Sequence, residues 1–358
     1  MALDRSHAAA LASWLGPRLG ARGTPAIDEV VALATGYSAE TVAFRVRYED
    51  GAGGHQARLV LRRESPEPAV YPQQAPGHDV EVDIQYRVMS ALGAGTSVPL
   101  APLLGYEAST ELLGAPFFVM GFVSGSVPLV TPSYAQEGFF SDASPGERRR
   151  MIDDGIRVLA ELHTLDWDGQ GLGWLVPESA EPTAERQVDI WRRYAEAELD
   201  GRSHPLMEGA FAWLAANAPA HDPGAVTFNW GDPRPGNMIW DEFRCVCVTD
   251  FEAAAVAPCC VDLGWWLMFD RWSHEAAGVE RLDGEPSREE QAFAYFRASG
   301  RPPVALHWFE VFAAVRYCAI VVRVMNRTVQ RGLMPADNTI WLENQATVCL
   351  GQLMEEGS

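Results

Sequence analysis

The feature that most constrains this chain is a change of periodicity near residue 125. Upstream, residues 27–35 and 41–48 are β-favouring runs, and in 56–63 Leu59 and Leu61 alternate with Val60 and Arg62. Gly51-Ala52-Gly53-Gly54 is a turn between them, so the three runs read as an antiparallel meander. A Pro-rich loop covers Ser65–Pro76, and Val80, Ile84, Val88 and Leu92 predict a helix over 78–92. Residues 103–107 and 116–123 are again strands, the second apolar enough to be central.

Downstream the pattern is helical. Ser144-Pro145-Gly146-Glu147 is a capping box with Pro at the first helical position, and Ile152, Ile156, Leu159 and Leu162 continue from it. Further helices are expected at 183–199, 205–217, 287–298 and 303–331, with a short β-like insert at 226–252. The expectation is an α+β chain. A small antiparallel β-rich lobe occupies 1–123, a larger helical lobe 124–358, and a hinge lies at about 120–125.

Composition narrows the function. At 358 residues there is room for two cores. A net charge of −20 excludes a partner held through its phosphate backbone, which needs a basic stripe, so no nucleic acid is expected. The acidity suits a cationic substrate or merely a soluble surface. No run approaches the ~20 apolar residues of a membrane span, and Met1–Leu19 reads as a short amphipathic helix rather than a signal peptide. A cytoplasmic protein without membrane contact is therefore expected. The six cysteines make no disulfide framework and no zinc pattern, so reduced, buried thiols are expected. The chain has no Lys: all 28 basic residues are Arg, which must then fill any role usually taken by Lys.

The chemistry concentrates in Trp230-Gly231-Asp232-Pro233-Arg234-Pro235-Gly236-Asn237 and Val246-Cys247-Val248-Thr249-Asp250-Phe251-Glu252. Phosphoryl transfer needs a carboxylate at the acceptor hydroxyl, oxygen ligands for Mg²⁺, a cation on the moving phosphoryl and a nucleotide cradle. Asp232 can orient or deprotonate the hydroxyl, and Arg234 can neutralise the phosphoryl. Asn237 and Asp250 are hard oxygen ligands for Mg²⁺. Two prolines and two glycines make the first segment a rigid, irregular platform.

Asp-x-Arg-x-x-Asn, with an Asp thirteen residues on, resembles the catalytic and metal segments of aminoglycoside phosphotransferases and choline kinases, relatives of the protein kinases. The resemblance implies a two-lobed protein-kinase-like fold with Mg-ATP between the lobes. It implies that Gly36, Tyr37 and Ser38 form the phosphate-covering loop, a stretch equally readable as a hairpin turn. It puts Arg62 at the position of the ATP lysine, and Met120, Gly121 and Val123 at the adenine-binding hinge. The family's helix Glu corresponds to Gln85, with Glu81 one turn earlier, and its usual His before Gly-Asp is Trp230. His163 is implied as scaffold and Asp262 as a brace of the catalytic loop. Glu252 fits either a group behind the metal or an acceptor contact. Trp230-Gly231-Asp232 and Val60-Leu61-Arg62-Arg63 also resemble the kinase-like domains found with acyl-CoA dehydrogenases. The acceptor expected first is an aminoglycoside-like hydroxyl compound; the alternative is a hydroxyacyl-CoA, for which Arg148–Arg150 or Arg192-Arg193 are candidate contacts. A regulatory nucleotide-binding pseudokinase is the reading from another class.

Overall fold

The computed structural model describes residues 5–33, 39–130 and 132–357. The chain divides into two compact units, Met1–Val70 with Gly77–Ser124, and Tyr71–Pro76 with Gly125–Ser358. Gly36, Tyr37 and Ser38, expected to cover phosphates, lie outside the described residues.

The first unit opens with helix α1 (Arg5–Arg18), followed by β1 (Ala26–Ala32), β2 (Glu40–Glu49) and β3 (Gly54–Arg63). Helix α2 (Glu81–Gly95) and strands β4 (Leu103–Glu107) and β5 (Phe117–Gly121) complete it. The strands form one five-stranded antiparallel sheet in the order β1-β2-β3-β5-β4. Period-2 alternation decides its faces. Val42, Phe44 and Val46 lie opposite Leu61, Leu59 and Ala57, and this face is buried under Leu11, Trp14 and Leu15 of α1. Trp14 meets Phe117 edge-on at 5.0 Å, and its indole N–H donates to Glu107 (3.0 Å). The other face carries Val60 and Arg62, register partners of Met120 and Phe118, with Tyr86 of α2 packed on Phe118 and Tyr106.

Helix α2 begins at Glu81, three residues later than its apolar spacing suggests. The cause is a long-range cap. Its N-cap residue Val80 makes no side-chain cap bond, whereas the carboxylate of Glu64 accepts the N–H groups of Glu81 (3.3 Å) and Val82 (2.9 Å).

The second unit is built from α3 (Pro145–Leu162), α4 (Ala184–Leu199), α5 (Pro205–Ala216), α6 (Cys260–Ser273), α7 (Arg288–Ser299), α8 (His307–Gln330) and α9 (Gln345–Glu356). The expected capping box is present: Glu147 accepts the Ser144 N–H (2.8 Å) while Ser144 Oγ accepts the Glu147 N–H (3.4 Å). Helix α9 was not anticipated, although Asn344 caps it by accepting from Ala346 and Thr347. Helix α8 packs against α4, α5, α6 and α9. All six cysteines are free and buried. Among the described residues no helix is long and apolar enough to cross a membrane.

Within this unit, the expected β-like insert is two separate pairs. Strand β6 (Val226–Asn229) pairs with β9 (Ala255–Pro258), and β7 (Met238–Asp241) with β8 (Arg244–Val248). Glu242 and Phe243 join β7 to β8 with φ of 46° and 60°, as a tight hairpin turn requires. The irregular segment 230–237 thus runs from β6 into the hairpin, and 249–254 runs from the hairpin back to β9.

Candidate active site

The turn after β6 depends on a glycine. Gly231 has φ +95°, and a Cβ there would stand 2.1 Å from the carbonyl oxygen of Ala253. The turn is held from below by Asp262 of α6, which is fully buried. Its carboxylate accepts the N–H groups of Trp230 (2.6 Å) and Gly231 (3.0 Å). His163 lies 3.3 Å from Asp262 through Nε2 and 2.6 Å from the Tyr295 hydroxyl through Nδ1, so it is a buried scaffold group. The Trp230 indole N–H donates to the carbonyls of Thr249 (2.8 Å) and Asp250 (3.0 Å), which ties the two chemical segments together.

Above this brace Asp232 is the centre of a convergent donor set. Oδ1 accepts from Trp265 Nε1 (2.7 Å) and Arg234 Nε (3.1 Å). Oδ2 accepts from Asn237 Nδ2 (2.7 Å) and the Tyr71 hydroxyl (3.1 Å), with Arg234 Nε again at 3.3 Å. Burial opposes the charge on Arg234, but neighbouring Asp232, with Tyr71, Tyr317 and Asp250 beyond, outweighs it and raises its pKa. Asn237 commits its Nδ2 to Asp232, which leaves Oδ1 as its metal-capable atom. The Thr249 N–H and hydroxyl both donate to the Asn237 carbonyl (3.0 Å each), which places the next residue, Asp250, beside Asn237. Asp250 itself adopts φ 58°. One amide oxygen and one carboxylate in adjoining segments are the hard oxygen donors that Mg²⁺ takes, so the residues present fit that ion.

The structure therefore brings Asp232, Arg234, Asn237 and Asp250 together. Arg62, Met120, Gly121 and Val123 belong to the other unit. There Arg62 and Met120 share one face of the sheet, and the carboxyl of Glu64 feels the Arg62 charge. Glu81 accepts the N–H of Val70 (3.0 Å), while Gln85 is buried with its Nε2 unpartnered. The Gly121 N–H is taken by the Pro102 carbonyl (2.8 Å), so an adenine bond from this residue would run through its own carbonyl.

Three residues around Asp232 and its turn escaped sequence reasoning. Tyr71 sits in what reads only as a Pro-rich loop and carries no local signal. Trp265 reads as core and is buried, yet its indole N–H points at Asp232. Arg316 had a signal: a charged residue inside the apolar run of α8. Its guanidinium donates to the Gly231 carbonyl (3.0 Å) and lies 4.7 Å and 4.4 Å from the ring centroids of Trp191 and Trp265. Burial lowers its pKa to about 10, so it stays charged at neutral pH.

Beside Arg234 a small hollow of about 30 Å³ is walled by Tyr134, Ile152, Trp266, Phe269, Trp272 and Asp270. Arg281 binds both Asp270 oxygens (2.9 and 2.6 Å), and Gln291 donates to one of them (2.8 Å). Among the described residues, Asp270, His274 and Glu285 are the one buried trio with metal-capable atoms within 4.8 Å of one another. The Arg281 guanidinium and the His274–Glu285 hydrogen bond (2.8 Å) already satisfy it, so it is an ion-pair network rather than a metal centre.

This network and its surroundings predict a pH dependence. Burial lowers the His274 pKa, but the hydrogen bond to Glu285 more than offsets this, and the folded value is raised above 6.5. Its contribution is full below the unfolded value and is lost as pH rises through the folded one. Burial also pushes Glu310 from 4.5 up to about 7, so the folded state binds the extra proton between those values and stability again falls as pH rises. Urea midpoints should therefore fall from pH 5 to pH 9, and His274→Gln should flatten the part above pH 6.5.

The antiparallel sheet of the first unit and the helical second unit are those of a protein-kinase-like fold. The sequence model of the phosphotransferase enzyme family (APH) matches residues 29–298, well over half of the chain, and the chain belongs to that family. The chain is 26% identical over 298 residues to the probable acyl-CoA dehydrogenase IBR3 of Arabidopsis thaliana, which covers 78% of this chain but only 34% of that protein. The chain thus spans about a third of that relative's length. A candidate aminoglycoside phosphotransferase from Ralstonia eutropha has a similar crystal structure, with TM-score 0.70, 24% identity, and coverage of 97% of this chain and 98% of that one. The ternary complex of APH(2")-IIa with streptomycin and ATP has TM-score 0.52 and 13% identity, and covers 98% and 99% of the two chains.

Proposed function

We propose that this chain moves the γ-phosphoryl group of Mg-ATP to the hydroxyl of a small-molecule acceptor, with Asp232 as the catalytic carboxylate. The observation that carries this reading is the convergence of Asp232, Arg234 and Asn237 on one braced turn, with Asp250 in the segment bonded to it. Asp232 orients the acceptor hydroxyl and takes its proton as the P–O bond forms. Arg234, held charged beside it, offsets charge on the transferring group. Asn237 Oδ1 and the Asp250 carboxylate would hold Mg²⁺, which supplies charge neutralisation at the phosphates. Arg62 is the candidate cation for the α- and β-phosphates, where a guanidinium can bind bidentately. Met120, Gly121 and Val123 are the candidate adenine contacts. The fold relative solved with ATP supports nucleotide use.

For the acceptor, a hydroxyacyl thioester is favoured over a polycationic aminoglycoside. The hollow beside Arg234 is walled mainly by apolar side chains, aromatic and aliphatic, and its carboxylate, Asp270, is already paired with Arg281. An amine entering there meets no unneutralised charge from that group, whereas an acyl chain meets apolar surface. The curated relative, named as an acyl-CoA dehydrogenase, points the same way. The test is ADP release from Mg-ATP with hydroxyacyl-CoAs, aminoglycosides and small amino alcohols. The expected result is stimulation by hydroxyacyl-CoAs. Stimulation by aminoglycosides alone would reverse the choice of acceptor, and failure of Mg-ATP to bind would remove the kinase reading.

A further inference from the structure

Residues 71–76 lie between β3 and α2 in sequence, yet they belong to the helical unit. They are fastened there by α4: Arg186 donates to the Gln74 carbonyl, and Gln187 Nε2 donates to Gln74 Oε1 (3.0 Å). The consequence lies at the start of the segment. The Tyr71 phenol donates to Asp232 Oδ2 at 3.1 Å, and it also lies in the fields of Glu252, Arg234 and Asp250. Burial, reinforced by Asp232, keeps this phenol protonated far above pH 10, so it is a permanent donor.

A carboxylate has about four lone-pair sites. On Asp232 they are filled by Trp265, Arg234, Asn237 and Tyr71. Trp265 comes from the buried face of α6, and Arg234 and Asn237 from the turn itself, so these three come with the site. Tyr71 is the donor brought by a loop, and it is also the one bearing a hydroxyl, the group the acceptor must present.

We propose that Tyr71 is an acceptor-site cap, a phenol that holds the acceptor hydroxyl's place on Asp232 Oδ2 and is displaced when an acceptor enters. The cap keeps water out of that place, so ATP is spared while no acceptor is bound. This inference rests on Asp232 being the catalytic carboxylate. With water as the acceptor, the bond from the γ-phosphorus to the β,γ-bridging oxygen breaks and a bond to the water oxygen forms. A water proton passes to Asp232, and ADP and phosphate leave.

The experiment is acceptor-free ADP release from Mg-ATP by wild type, Tyr71→Phe, Asp232→Asn and the double variant. Removing one hydrogen bond to the carboxylate should raise the water reaction of Tyr71→Phe roughly three- to tenfold, and Asp232→Asn should cancel that rise. Arg186→Ala, which loosens the loop without touching a carboxylate, should raise it in the same direction by a smaller factor. A Tyr71→Phe rate at or below wild type, with Asp232→Asn still lowering both, overturns the cap and leaves the kinase reading intact. Rates that are indifferent to Asp232→Asn in every background overturn the catalytic reading and the cap with it.

Discussion

Asp232→Asn should lower kcat for the acceptor reaction by about 10²–10⁴-fold, the range for losing a positioned proton acceptor, while the Kd for Mg-ATP changes little. The nucleotide candidates Arg62, Met120, Gly121 and Val123 are separate side chains and backbone groups, and the proposed metal ligands Asn237 and Asp250 remain. The substitution is isosteric but not silent. Four groups donate to the carboxylate, and an amide offers a single acceptor oxygen. One of its own N–H groups must then face a donor, so a stability loss of about 1–3 kcal/mol should accompany the activity loss. Single-turnover kinetics with a parallel urea titration separates the two. A kcat within threefold of wild type would remove Asp232 from the chemistry.

The second large effect is on folding. Asp262→Ala should cost about 3–5 kcal/mol, as removal of one partner from a buried charge cluster does. The carboxylate is fully buried and accepts two backbone N–H groups of the turn that carries Asp232, and its charge also compensates the buried Arg316. Asp262→Asn keeps an acceptor for one N–H and should lose less. Urea midpoints for the two variants give the comparison. Equal, small losses for both would mean that the brace contributes little to stability.

Much of the candidate site was legible because it is local. Asp232, Arg234 and Asn237 span six residues, and the glycines and prolines around them announce an irregular turn. Helix α3 was legible where apolar spacing follows the capping box at Ser144, whereas α9 was missed although Asn344 and Thr347 cap it in the same way. What also failed was everything set by distant partners. Glu64 fixes the start of α2 from 17 residues upstream of Glu81. Tyr71 reaches Asp232 across 161 residues and Trp265 across 33, and neither spacing leaves a periodic trace. Trp230 was read as a departure from a family pattern. Its indole N–H proves to be one of the links, with Thr249, between the turn and the segment that carries Asp250.

Asp262, Trp230 and Arg316 have one further consequence. Each grips a backbone group of the segments that carry Asp232 and Asp250, so this loop is fixed before any ligand arrives. Its dipoles need little reorganisation during the reaction, because the ordering cost was met when the unit folded. Adaptation to different acceptors must therefore reside in the groups around the turn, the aromatic walls and the strap that carries Tyr71, while the turn itself stays constant.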